Sequence, residues 1–98
     1  MPSLLDTVLE TIRARRDDIE ARYGIRLLGV VGSVARGEER ADSDVDITYE
    51  VPRSTNLFKL SDAEHDLAAT LGRKVDLVDR DGMRAAARAY IERDLVRA

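Results

Sequence analysis

Two aspartates, Asp44 and Asp46, flank a single valine and stand ten residues behind the dipeptide Gly32-Ser33. The segment from Val45 to Val51 alternates: Val45, Ile47, Tyr49 and Val51 on one side, Asp44, Asp46, Thr48 and Glu50 on the other. Alternate residues of a strand share a face about 6.6 Å apart, so Asp44 and Asp46 aim two carboxylates at one small volume. Unneutralised, they repel each other. Mg²⁺ prefers hard oxygen ligands and is held by one or two carboxylates plus substrate phosphates. Two such ions about 3.5–4 Å apart can clamp an in-line phosphoryl displacement. Gly32-Ser33 closes an apolar run and opens a short helix, where backbone N–H groups and the Ser33 hydroxyl can hold a phosphate. Glycine there lets the chain turn and a ligand approach closely.

Asp76 lies in a further strand, Lys74 to Val78, sharing its face with Lys74 and Val78. If that strand neighbours the Val45 strand, Asp76 adds a third carboxylate, able to bind metal and to accept the proton of an attacking hydroxyl. Blander readings exist for each residue. Asp44 and Asp46 fit a solvated acidic strand face, Asp76 an edge-strand charge, and Ser33 a helix cap. Competing motifs fail. An EF-hand loop starting at Asp42 would need Gly at Ile47 and Glu at Arg53, and a Walker A loop starting at Gly29 would need Gly at Val34 and Lys at Ala35.

The elements that must position these residues follow from periodicity and punctuation. Ser3 and Asp6 resemble a capping box, and Leu4, Leu5, Val8, Leu9, Ile12, Ile19 and Tyr23 recur at helical spacing up to Gly24, a C-cap residue. Ile25 to Val31 reads as a buried strand, and Gly32 to Gly37 as a tight turn with a short helix. Pro52 stops the acidic strand, and Arg53 to Lys59 reads as a loop. Ser61 and Glu64 form a second capping box for a helix ending at Gly72. A last helix is expected from about Gly82 to Val96, with Met83, Ala86, Ala87, Tyr90, Ile91 and Leu95 buried. The order α-β-α-β-α-β-α predicts an α/β (α+β) domain, a small mixed sheet of about three strands packed against helices.

With 98 residues, one domain (1–98) with a single modest core is expected. The apolar share of 44% and charged share of 36% are those of a globular chain rather than a disordered one. A net charge of −3 makes no electrostatic bid for DNA or a membrane surface. Without Trp and with four aromatics, a base-stacking surface is not expected either. The lack of Cys excludes disulfides, zinc-thiolate sites and thiol catalysis. No apolar run approaches the roughly 18 residues of a membrane span, and Met1-Pro2-Ser3 does not begin a signal peptide. A cytoplasmic location is the resulting expectation. His65 is expected on an exposed helix face. Tyr23, Tyr49 and Tyr90 are expected in the core, and Glu50, Asp79 and Asp81 solvated or capping. Glu38, Glu39 and Arg40 read as an exposed turn.

Gly32-Ser33, ten residues, then Asp44-x-Asp46 resembles the signature of the DNA polymerase β-like nucleotidyltransferase superfamily. The string "GSVARGEERADSDVDI", with "KVDLVD" at the place of the third carboxylate, resembles the minimal nucleotidyltransferases (MNT domains), often antitoxins paired with HEPN-domain ribonuclease toxins. The resemblance covers nearly the whole chain, and its specific part is Gly32 to Ile47 plus Asp76. It implies that Gly32 and Ser33 hold the triphosphate of ATP, that Asp44, Asp46 and Asp76 bind two Mg²⁺, and that Asp76 is the base. Arg36 either touches the phosphates or pairs with a nearby acid. The implied reaction is transfer of AMP from ATP to a hydroxyl acceptor, a Tyr of a cognate HEPN toxin. Two other functions fit the resemblance: an antitoxin that neutralises by binding alone, and a nucleotidyltransferase acting on a small molecule such as an aminoglycoside. Larger relatives add a helical domain that grips base or acceptor. The short chain is therefore expected to lean on a partner and to form a homo- or hetero-oligomer.

Overall fold

The computed structural model describes residues 2–81 and 85–98, with the side chains of residues 85–87 and 90 outside the description. In chain order the elements are α1 (Leu4–Tyr23), β1 (Arg26–Val31), α2 (Gly32–Arg36), β2 (Val45–Glu50), α3 (Leu57–Leu71), β3 (Val75–Asp79), α4 (Ala85–Asp94) and β4 (Val96–Arg97). α1 starts at the expected capping box: the Ser3 hydroxyl accepts from the Asp6 N–H, and the Asp6 carboxylate accepts from the Ser3 N–H. Gly24, Gly37 and Gly72 end α1, α2 and α3 in the left-handed conformation.

The four strands form one mixed sheet in the order β3-β2-β1-β4. β1 runs antiparallel to β2, with Val30 opposite Ile47 and Val31 opposite Asp46. β2 and β3 are parallel, with Val45 opposite Val75 and Asp46 opposite Asp76. The face carrying Val45, Ile47 and Tyr49 packs against α1 and α3. Val8, Ile12, Ile19, Leu27, Val30, Ile47 and Leu67 are all fully enclosed there. Each such aliphatic side chain contributes about 1.5–3 kcal/mol by leaving water. This apolar side is the rigid platform on which the opposite face, with Asp44 and Asp46, is presented.

Two expectations need correction. α3 begins at Leu57, where the Asn56 side chain accepts from the Lys59 N–H at 2.9 Å. Ser61 and Glu64 therefore lie inside the helix, and the Glu64 carboxylate instead accepts from the Leu77 N–H at 3.2 Å, tying α3 to β3. Periodicity could not reveal the extra turn because Leu57 and Phe58 are 82% and 83% exposed and contribute nothing to the core. The last helix ends at Asp94 rather than Val96, and the sheet gains a fourth strand. Val96 and Arg97 pair with Val30 and Gly29 of β1, and the Ala98 N–H donates to the Leu28 carbonyl at 3.1 Å. Arg16 of α1 secures this edge, donating to the Ala98 carbonyl at 2.9 Å. The expected helix start at Gly82 and the expected burial of Met83, Ala86, Ala87 and Tyr90 lie outside the described residues. Among the described residues no helix is long and apolar enough to cross a membrane.

Candidate active site

Three aspartates meet on one face of the sheet. Asp44 precedes β2 by one residue and shares its parity with Asp46, while Asp76 is the register partner of Asp46 across the parallel β2/β3 pair. Asp46 sits between the other two charges. Burial pushes the Asp46 carboxyl up from the ordinary range, the negative charges of Asp76 and Asp44 push it further, and the Arg36 guanidinium pulls it back. β2 and β3 thus gather two carboxylates around a partly enclosed third, with the Arg36 guanidinium near it.

The Gly32 turn abuts this cluster. Val31 pairs with Asp46 across β1/β2, and Gly32 follows with φ of 76°, in the left-handed region. A Cβ at Gly32 would collide with the Asp46 carboxylate. Glycine is needed twice here, for the backbone angle and for the close approach. The turn leads straight into α2, whose N-cap is Val31, a residue with no side-chain acceptor for the first N–H groups. Ser33 lies one residue inside the helix and does not cap it.

Arg36 is the last residue of α2, one turn on from Ser33. Of the two roles open to it from sequence, acid pairing is seen: Nε lies 3.1 Å from Glu38 Oε2 and Nη1 lies 2.6 Å from Asp94 Oδ2. Asp44 Oδ2 lies 3.6 Å from the exposed Lys74 Nζ. With the side chains so arranged, no three His, Cys, Asp or Glu residues among those described form a ready metal cluster.

Of the residues expected to lie outside the site, His65 and Tyr49 stand where expected and Tyr23 only in part. His65 is exposed and Tyr49 is buried. The Tyr23 hydroxyl is half-buried and donates to Asp66 at 2.7 Å. Glu50 pairs with Arg26 and Arg80, and Asp79 accepts from the Asp81 N–H at 2.9 Å. Sequence reasoning missed two features. Thr48, on the acidic side of β2, is fully buried, its hydroxyl donating to the Val78 carbonyl at 3.0 Å. With Ile91 and Leu95 it lines a cavity of about 290 Å³ beneath α4, so α4 covers this side of the sheet beyond the aspartates. The second feature is Asp94, only 6% exposed in its side chain. Its one sequence signal is an acid in the last turn of a helix, where the helix dipole disfavours negative charge.

The nucleotidyltransferase domain family matches residues 12–97. The protein adenylyltransferase MntA of Thermococcus cleftensis is 34% identical over 92 residues, covering 94% of this chain and 93% of that protein. A solved structure described as a minimal nucleotidyltransferase superposes with a TM-score of 0.71 at 36% identity, covering 90% of this chain and 93% of the other. An MNT antitoxin in complex with a tri-AMPylated HEPN toxin of Shewanella oneidensis gives a TM-score of 0.69 at 18% identity, covering 93% of this chain and 68% of that one, a likeness of fold. Fold and family match together define a nucleotidyltransferase. The chain belongs to the nucleotidyltransferase domain family, and its fold is that of the minimal nucleotidyltransferases.

Proposed function

We propose that this protein transfers AMP from ATP to a tyrosine hydroxyl of a HEPN-type toxin and so acts as its antitoxin in the cytoplasm. The observation that carries the reading is the close approach of Gly32 to Asp46, which seats the Gly32-Ser33 turn against the carboxylate flanked by Asp44 and Asp76. The similar Thermococcus protein is named an adenylyltransferase, and the Shewanella complex pairs an MNT antitoxin with an AMPylated HEPN toxin; both agree with this reading.

The residues present suit Mg²⁺. The charges of Asp44 and Asp76 both burden Asp46, and the ion pair of Asp44 with the exposed Lys74 is a contact worth little in water. Asp44, Asp46 and Asp76 would hold two ions, which supply charge neutralisation and a clamp on the phosphates. Gly32 and Ser33 receive the triphosphate through backbone N–H groups and the hydroxyl, and Arg36, one turn on from Ser33, adds a cation. A tyrosine hydroxyl has a pKa of about 10 and needs help to lose its proton at neutral pH. Asp76 accepts that proton, the phenolate oxygen attacks the α-phosphorus in line, and the bond to the bridging oxygen breaks to release pyrophosphate. Positioning and electrostatics supply the acceleration.

The test incubates the protein with Mg²⁺, labelled ATP and the protein encoded next to it in its genome, whatever its class. Label is expected on a tyrosine of that neighbour, and the double variant Asp44→Asn/Asp46→Asn should lower transfer at least about a thousandfold with the fold intact. If the double variant silences the toxin as well as the parent does, silencing is by binding and the enzymatic account is wrong.

A further inference from the structure

Asp94 occupies an electrostatically poor place. It is the last residue of α4, where the helix carbonyls already concentrate negative charge, and its side chain is only 6% exposed. A carboxylate drawn this far out of water calls for a close cationic hydrogen-bond partner. Arg36 is that partner, at 2.6 Å, while the exposed Arg93 of the same helix lies 3.8 Å away on the other oxygen. The ion pair spans two elements. Asp94 is anchored from behind, because the next residues but one, Val96 and Arg97, pair with β1, and Arg16 holds Ala98. Arg36 ends α2, with Ser33 three residues before it and so on the same helical side. The guanidinium has a second carboxylate of different character. Glu38 lies 3.1 Å from Nε but is 67% exposed, and an exposed pair of this kind is broken at little cost.

We propose that Asp94 is a positioning residue for the nucleotide site: it fixes the Arg36 guanidinium beside the Gly32-Ser33 turn and leaves the Nε edge, now on Glu38, to be taken by a phosphate oxygen. This rests on reading Gly32–Arg36 as the phosphate turn. The C-terminal strand thereby reaches the site, since whatever holds β4 on β1 also holds Asp94 on Arg36. Asp94 itself touches no substrate and acts only through Arg36.

The experiment measures binding of a non-hydrolysable ATP analogue, with Mg²⁺, to the full chain by calorimetry, so no acceptor is required. Asp94→Asn should weaken binding about tenfold, the loss of a charge-assisted contact, and Asp94→Glu should lie between it and the parent. Arg36→Gln should weaken binding at least as much, and adding Asp94→Asn to it should change nothing further. Glu38→Gln should bind as tightly as the parent or more tightly, because a competitor for Arg36 has gone. A folded Asp94→Asn protein that binds like the parent overturns the proposal. So does a double variant that loses the full increment of both changes, which is the mark of a merely structural role. If Asp94→Asn does not fold, Glu38→Gln still decides, because weaker binding by that exposed variant contradicts the exchange. A parent that binds no nucleotide overturns the phosphate-turn reading and this inference with it, a result distinct from a parent that binds and an Asp94 variant that binds equally.

Discussion

At the scale of single residues, the site shows a conflict between function and stability. The Asp46 carboxyl is pushed upward by burial and by Asp76 and Asp44. A carboxyl raised in the folded state favours folding when protonated, and that contribution is lost as pH rises from the ordinary aspartate range, about 4, through the folded value. At neutral pH the ionised group therefore works against the fold. Asp46→Asn should unfold at a higher temperature than the parent in metal-free buffer while losing transfer. Mg²⁺ should raise the melting temperature of the parent and leave that of the variant unchanged, since ligand binding to the native state alone stabilises it. Thermal scans with and without Mg²⁺ measure both. A variant that melts below the parent in metal-free buffer would show that Asp46 is structural. Gly32 and the Asp44-x-Asp46 pair were legible in the sequence because their chemistry depends on short-range spacing. Asp94 was not, because its partner lies 58 residues away and nothing local distinguishes it from a solvated acid.

Elements were legible where their ends carry caps. Ser3 with Asp6 and Gly24 marked α1 to the residue, and Gly32 and Gly37 marked α2. The start of α3 was misread because Ser61-x-x-Glu64 imitates a capping box inside the helix, while the working cap, Asn56, precedes two exposed apolar residues. β4 was misread because two residues carry no periodicity. It exists only because β1 offers an edge, and Gly29 shows how closely it fits: a Cβ there would strike the Val96 carbonyl and press on Leu95. Gly29→Val should therefore detach the C-terminal strand while the α1/α3 core persists, at a cost of about 1–3 kcal/mol for the overpacking. Hydrogen exchange reads this directly. The Ala98 amide, bonded to Leu28, should lose its protection in the variant, and retained protection would mean that the strand can accommodate the side chain.

For the molecule as a whole, α1 and α3 are joined over the core by a charged network. Arg15 grips Asp66 with two contacts of 3.0 Å, and Tyr23 donates to the same carboxylate. The hydrogen bond from Arg15, then that from Tyr23, holds the Asp66 carboxyl below the usual range. A carboxyl lowered in the folded state adds stability that is present above the unfolded pKa of about 4 and is lost as pH falls through the folded value. Tyr23 carries the opposite limb. Its hydrogen bond to Asp66 and its burial raise it, so its contribution holds below about pH 10 and is lost above. Urea midpoints measured from pH 7 to pH 2 should show Asp66→Asn less stable than the parent at neutrality, with the gap closing in acid. A gap that stays constant with pH would remove Asp66 from the acid limb.

The sequence by itself determined the alternation of helices and strands, the turn ahead of two aspartates, and the chemistry those residues can support, because each depends on neighbours a few positions apart. Only the tertiary structure decided that β3 lies parallel beside β2, which brings Asp76 level with Asp46, and that the last residues return to β1 and carry Asp94 to Arg36. Strand pairing and buried ion pairs are contacts between distant segments. They are selected by how the whole apolar face packs, which no local pattern encodes.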